Sequence, residues 1–99
     1  MITLVDISAA VSRVLSRYDV REAYLFGSFA RGDQTPDSDI DLRLVCGDSM
    51  TFGNLYEISL ELEKELGREV EIVTNPPEHM RPSFRKNIEQ DEVRLYEAA

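Results

Sequence analysis

Two short runs hold residue types that do chemistry together: Gly27-Ser28 and, beginning eleven residues after Ser28, Asp39-Ile40-Asp41. The first lies in Tyr24-Leu25-Phe26-Gly27-Ser28-Phe29-Ala30-Arg31-Gly32, where β-favouring bulk gives way to a turn of small residues. A turn of this kind offers backbone N–H groups to phosphate oxygens, and glycine lets a ligand come close to the backbone. Asp39 and Asp41 are two apart on an alternating stretch, so in a strand both carboxylates project from one face. Two unit charges about 4 Å apart repel by roughly 4 kcal/mol at an effective dielectric of 20, so such a pair shares a proton, pairs with cations or binds a metal. Amides beside paired carboxylates suit a nucleoside triphosphate that arrives with a divalent cation.

A third carboxylate is available. Arg68 to Thr74 reads as a strand with Val70 and Ile72 on one side and Glu69, Glu71 and Val73 on the other. If it lies beside the Asp39 strand, Glu71 joins the two aspartates, and three converging acids read as a Mg²⁺ site of the two-metal type. The plainer alternative is a solvated acidic face beside Arg31 or Arg43. A calcium loop also competes, since Asp37, Asp39 and Asp41 alternate, but Leu42 stands where an EF-hand requires glycine. The P-loop pattern is absent, and Gly27 and Gly32 lack the middle glycine of a dinucleotide fingerprint. Arg31 could neutralise triphosphate charge, or pair with an acid such as Asp41 and hold the turn. His79 follows two prolines without a partner at ligand spacing and reads as an exposed loop histidine. Cys46 falls on the apolar side of its strand as a small core residue, and the four tyrosines form no base-stacking platform.

The elements that must position these residues follow from periodicity. Ile7, Val11, Val14 and Tyr18 mark one face of a helix over about residues 6 to 17, and residues 21 to 26 form a short strand. Ser28 is the expected N-cap of a helical turn that Gly32 ends, and Asp33 to Ser38 is a loop. From Asp39 to Cys46 the chain alternates: Ile40, Leu42, Leu44 and Cys46 on one side, Asp39, Asp41, Arg43 and Val45 on the other. A second helix, about residues 51 to 66, carries the stripe Phe52, Leu55, Ile58, Leu62 and Leu66 and stops at Gly67. Met80, Phe84 and Ile88 suggest a short last helix with Pro82 near its start, and Val93, Leu95 and Tyr96 a closing edge strand. Both central strands segregate aliphatics from acids. The expected fold is α/β, a small mixed sheet with helices over the aliphatic face and an open acidic face.

Ninety-nine residues make a single domain over residues 1–99, and 42% hydrophobic with 30% charged residues fits an ordinary globular protein. The net charge of −8 argues against direct nucleic-acid binding, though not against a nucleotide whose cation brings positive charge. A lone cysteine, no basic leader and no long apolar run lead us to expect a cytoplasmic protein with no membrane association.

With its strings Gly27-Ser28-Phe29-Ala30-Arg31-Gly32 and Ser38-Asp39-Ile40-Asp41-Leu42, the chain resembles the DNA polymerase beta-type nucleotidyltransferases. Within that superfamily it is similar to the minimal nucleotidyltransferases, the MNT partners of HEPN proteins in prokaryotic two-gene modules. The resemblance rests on residues 24 to 45, and the order of elements matches along nearly the whole chain. It implies that Gly27 and Ser28, with Arg31 beside them, bind the triphosphate of ATP or another NTP, and that Asp39 and Asp41 bind Mg²⁺. The family's third carboxylate is usually an aspartate between aliphatics; here Val70-Glu71-Ile72 stands in that place, with Glu69 as the alternative. The implied activity moves AMP from ATP onto a hydroxyl, that of a tyrosine in a HEPN-type toxin, so that the protein acts as an antitoxin. Two other functions remain open from sequence: an antitoxin that neutralises by binding alone, and a small-molecule nucleotidyltransferase completed by its own dimer.

Overall fold

Thr3 starts the first helix. In the computed structural model, which describes residues 2–74 and 81–99, its hydroxyl accepts from Asp6 N–H at 3.2 Å while Asp6 Oδ2 accepts from Thr3 N–H at 2.9 Å. This capping box satisfies two otherwise unpaired amides and sets α1 at Leu4–Leu15, two residues earlier than periodicity alone predicts. The remaining elements are β1 (Val20–Phe26), α2 (Ser28–Arg31), β2 (Ile40–Cys46), α3 (Phe52–Leu66), β3 (Val70–Val73), α4 (Pro82–Asp91) and β4 (Val93–Glu97). All eight elements expected from the sequence are present. His79 and Met80 lie outside the described residues, as does the Phe84 side chain.

The four strands form one mixed sheet in the order β3-β2-β1-β4. β1 runs antiparallel to both β2 and β4, while β2 and β3 are parallel. The parallel pair is joined through α3, the crossover that parallel strands require. Thr51 caps α3 by accepting from Asn54 N–H at 3.0 Å, and Gly67 ends it in the left-handed region at φ 68°.

The aliphatic side behaves as expected. Ile40, Leu42 and Leu44 of β2 are completely buried with Ile7, Val11 and Leu15 of α1 and Ile58 and Leu62 of α3. Cys46 packs against this core, and burial pushes its thiol pKa up. One assignment in the α3 stripe is corrected: Phe52 is 91% exposed, and the buried face consists of Ile58 and Leu62 with Leu55 and Leu66 at its margins. Phe52 belongs instead to an outward row with Tyr56 and Leu60, spaced four residues apart.

α1 and α3 cover the aliphatic face, but the opposite face is not bare along its whole length. Ile88 of α4 is buried outside the main core and shares a cavity with Phe26, Asp41 and Glu71. Arg43, on the Asp41 side of β2, is buried as well: its Nε and Nη2 donate to Glu92 at 2.8 and 2.7 Å, and its guanidinium lies 4.5 Å from the Tyr24 ring centroid. The C-terminal end of α4 and its cap therefore roof the Arg43 end of this face, while at the Asp41 end Ile88 and Asp91 wall a cavity over the strands. Among the described residues, no helix is long and apolar enough to cross a membrane.

Candidate active site

β1 ends because Gly27 turns the chain. Its φ of 76° and ψ of −156° suit glycine and strain any L-residue. Gly27, and not Ser28, is the N-cap of α2, a correction to the expectation from sequence. Its carbonyl accepts from the Ala30 and Arg31 amides, both at 3.1 Å, and Ser28 becomes the first helical residue. The amides of Ser28 and Phe29 open the helix, where no intrahelical acceptor exists for them. Gly32 closes the turn at φ 81°.

Register brings the next pieces together. Asp41 is the partner of Phe26 across the antiparallel β1–β2 ladder and of Glu71 across the parallel β2–β3 ladder. Residues directly opposite share a face, so Phe26, Asp41 and Glu71 form one row across three strands. Gly27 is needed here for space as well as for φ: a Cβ on it would overlap Asp41 Oδ2. Asp41 is half-buried, and its pKa is pushed up to about 6 by burial first, then by the charges of Glu71 and Asp39, and by a hydrogen bond with Glu71; Arg31 opposes weakly. The Asp41 carboxyl thus keeps its proton well into the mildly acidic range.

Asp39 precedes β2 as an exposed residue at the end of the 33–38 loop, and acts on Asp41 through its charge. Continuing the register one pair further sets Glu69 beside Asp39, while Glu71 is the residue opposite Asp41. Among the described residues no three His, Cys, Asp or Glu side chains already stand converged as a metal shell. The pair Asp41 and Glu71 is formed, and Asp39 stands next to it. The donor set still fits a divalent cation: three hard oxygen ligands carrying like charge, whose mutual repulsion a cation relieves.

Arg31 pairs with acids, as one of its two expected roles had it, though the acid is not Asp41. Its partners are Asp33 (Nε–Oδ2 3.2 Å) and Asp91 (Nη1–Oδ2 3.2 Å). A cavity of about 210 Å³ lies between these groups, walled by Phe26, Gly27, Arg31, Asp41, Glu71, Ile88 and Asp91; Ser28 and Asp39 are outside the wall. Sequence reasoning missed Phe26, Ile88 and Asp91. Phe26 could have been found from its place immediately before Gly27; Asp91 carried no signal, being 60 residues from Arg31.

The chain has known relatives. A family model described as polymerase beta, nucleotidyltransferase matches residues 10–99. A Methanocaldococcus jannaschii protein provisionally named a protein adenylyltransferase is 39% identical over 77 residues, 76% of either chain. The protein adenylyltransferase MntA of Thermococcus cleftensis is 29% identical over 98 residues, 95% of this chain and 93% of its own. Among solved structures, a chain in the complex of tri-AMPylated Shewanella oneidensis HEPN toxin with MNT antitoxin shares the fold. Its TM-score is 0.65 at 17% identity, covering 93% of this chain and 71% of that one.

Proposed function

The chain belongs to the polymerase beta-type nucleotidyltransferase family, and on that premise we propose that it is a protein adenylyltransferase and antitoxin, moving AMP from ATP onto a tyrosine hydroxyl of a HEPN-type toxin. One observation carries this reading: Asp41 packs against the Gly27 backbone and stands in register with Glu71, so carboxylates and a phosphate-binding turn share one cavity. The named activity of the relatives supports the choice of an adenylyl group, and the HEPN complex supports the choice of partner.

The amides at Gly27 and Ser28 take triphosphate oxygens, with the Arg31 guanidinium on the same wall. Asp39, Asp41 and Glu71 are the residues that would hold Mg²⁺, whose charge, when bound, neutralises the triphosphate and polarises the reacting oxygens. Glu71 faces the cavity from the edge strand, where an acceptor hydroxyl can enter, and it orients that hydroxyl and accepts its proton. The tyrosine oxygen bonds to the α-phosphorus, the α–β phosphoanhydride bond breaks, and pyrophosphate departs with the bonding pair. Glutamate in place of the usual aspartate is compatible with this role because the register sets it directly beside Asp41.

The test is transfer of label from ATP to a purified HEPN toxin in the presence of Mg²⁺. Transfer by the wild-type chain and none by Asp39→Asn/Asp41→Asn is expected; no transfer under conditions where an active relative labels its toxin overturns the proposal. A surface with net charge −8 also favours a second reading, neutralisation of a basic toxin by binding alone. That reading gains if the double variant still protects cells as well as wild type.

A further inference from the structure

Asp39 is placed by a loop and not by a strand, which makes its position the least constrained of the three acids. The loop has some internal order: Thr35 N–H donates to Ser38 Oγ at 2.8 Å, Ser38 N–H to Thr35 O at 3.1 Å, and Asp37 N–H to Thr35 Oγ1 at 3.3 Å. One outside side chain also engages it. Arg68 Nη1 donates to Pro36 O at 2.7 Å and lies within reach of Ser38 O at 3.2 Å and Thr35 O at 3.3 Å. Its guanidinium carbon stands 5.7 Å from the ring centroid of Phe29, a buried residue of α2. The arginine itself is fixed from both sides, following the Gly67 cap and preceding Glu69, whose carbonyl accepts from Ile40 N–H at 2.9 Å.

We propose that Arg68 is a positioning residue for Asp39: by gathering the carbonyls of residues 35, 36 and 38 it fixes the end of the loop, and so the aim of the Asp39 carboxylate at the cation. The inference deepens the proposed function and rests on its cation site. The chemistry is that of a half-buried cationic donor set against three carbonyl oxygens, where each charge-assisted hydrogen bond is stronger than a neutral one. A single side chain thereby links the loop, α2 and the start of β3, the three segments that converge on the site. Supports of this kind, behind the ligands of a metal, typically change its affinity by about 10–100-fold.

Mn²⁺ binding to the full chain, followed by electron paramagnetic resonance, and amide hydrogen exchange without metal test this. Arg68→Met should weaken Mn²⁺ binding about tenfold and speed exchange of the amides of residues 35–40, while Arg68→Lys, which keeps an ammonium for the carbonyls, restores most of both. In the D39N background Arg68→Met should cost nothing further, because its effect runs through Asp39. An equal loss in both backgrounds overturns the inference, as does unchanged exchange over residues 35–40 or unchanged Mn²⁺ affinity in Arg68→Met. Should Arg68→Met fail to fold, Arg68→Gln and Arg68→Lys carry the same comparison. A wild-type chain that binds no Mn²⁺ at all refutes the cation site itself, a result distinct from a site that binds but ignores Arg68.

Discussion

Replacing Asp41 by asparagine should stabilise the metal-free protein while destroying its chemistry. The folded chain raises the Asp41 pKa from 3.8 to about 6, so its native form prefers to keep a proton that the unfolded chain releases near 3.8. Stability from this group is full below that lower value and is lost as pH climbs through about 6, leaving an ionised carboxylate in an unfavourable place at neutral pH. At about 1.36 kcal/mol per pH unit the difference approaches 3 kcal/mol, which solvent screening of a half-buried carboxylate reduces to about 1–2 kcal/mol. Asparagine has the shape of the protonated acid and never ionises. For a domain of this size, each kcal/mol corresponds to about 4–8 °C in melting temperature. Thermal melts at pH 8 without divalent ions should place Asp41→Asn several degrees above wild type, and melts at pH 4 should bring the two together. Added Mg²⁺ should close the gap at pH 8 by raising wild type alone. Equal melting temperatures at pH 8, or the same gain at both pH values, would refute the argument.

Three further outcomes follow from the packing. Gly27→Ala places a Cβ against Asp41 Oδ2 at φ 76°, whereas Gly32→Ala at φ 81° meets nothing within 4 Å. Both should lose about 1–2 kcal/mol to backbone strain in urea melts, but only Gly27→Ala should also lose adenylyl transfer. Arg43→Met leaves the Glu92 carboxylate, 15% exposed, without its cation, and should cost about 3–5 kcal/mol, much of it recovered by adding Glu92→Leu. Phe52→Ser should change stability by less than about 0.5 kcal/mol and Leu62→Ala should cost about 2–5 kcal/mol, since the first side chain is exposed and the second fully buried.

What the sequence made legible was whatever depended on local pattern. The alternation from Ile40 to Cys46 announced one packed and one polar face, and the alternation around Val70 put Glu71 opposite the aliphatics of its own strand; that the two acids meet was conditional on the pairing that the structure shows. Gly67 and Pro82 marked a helix end and a helix start for reasons of backbone geometry that act within a few residues. The failures share a cause as well. The start of α1 depends on a reciprocal Thr3–Asp6 cap that apolar periodicity does not register. Phe52 matched the three-residue step to Leu55 and Ile58, but it also begins the outward row with Tyr56 and Leu60, and the face that buries Ile58 and Leu62 leaves it exposed. The distant partner of Arg31, Asp91, and the partner of Arg43, Glu92, come from α4 and its C-cap, whose mostly polar sequence, with Ile88 buried among its described side chains, gives no hint of which face it meets. Contacts between distant segments were invisible wherever neither side had a periodic signal.

The row of Phe26, Asp41 and Glu71 has a temporal meaning. Its members come from a strand near residue 20, a strand near residue 40 and an edge strand at residue 70, so a ribosome-bound chain that has emerged only through α3 owns the turn, Phe26 and both aspartates but not Glu71. The row is complete only when β3 docks alongside β2. Until β3 has emerged, a nascent chain therefore carries Asp41 without the neighbouring carboxylate that helps to raise its pKa, and a chain whose β3 is cut away returns to that state.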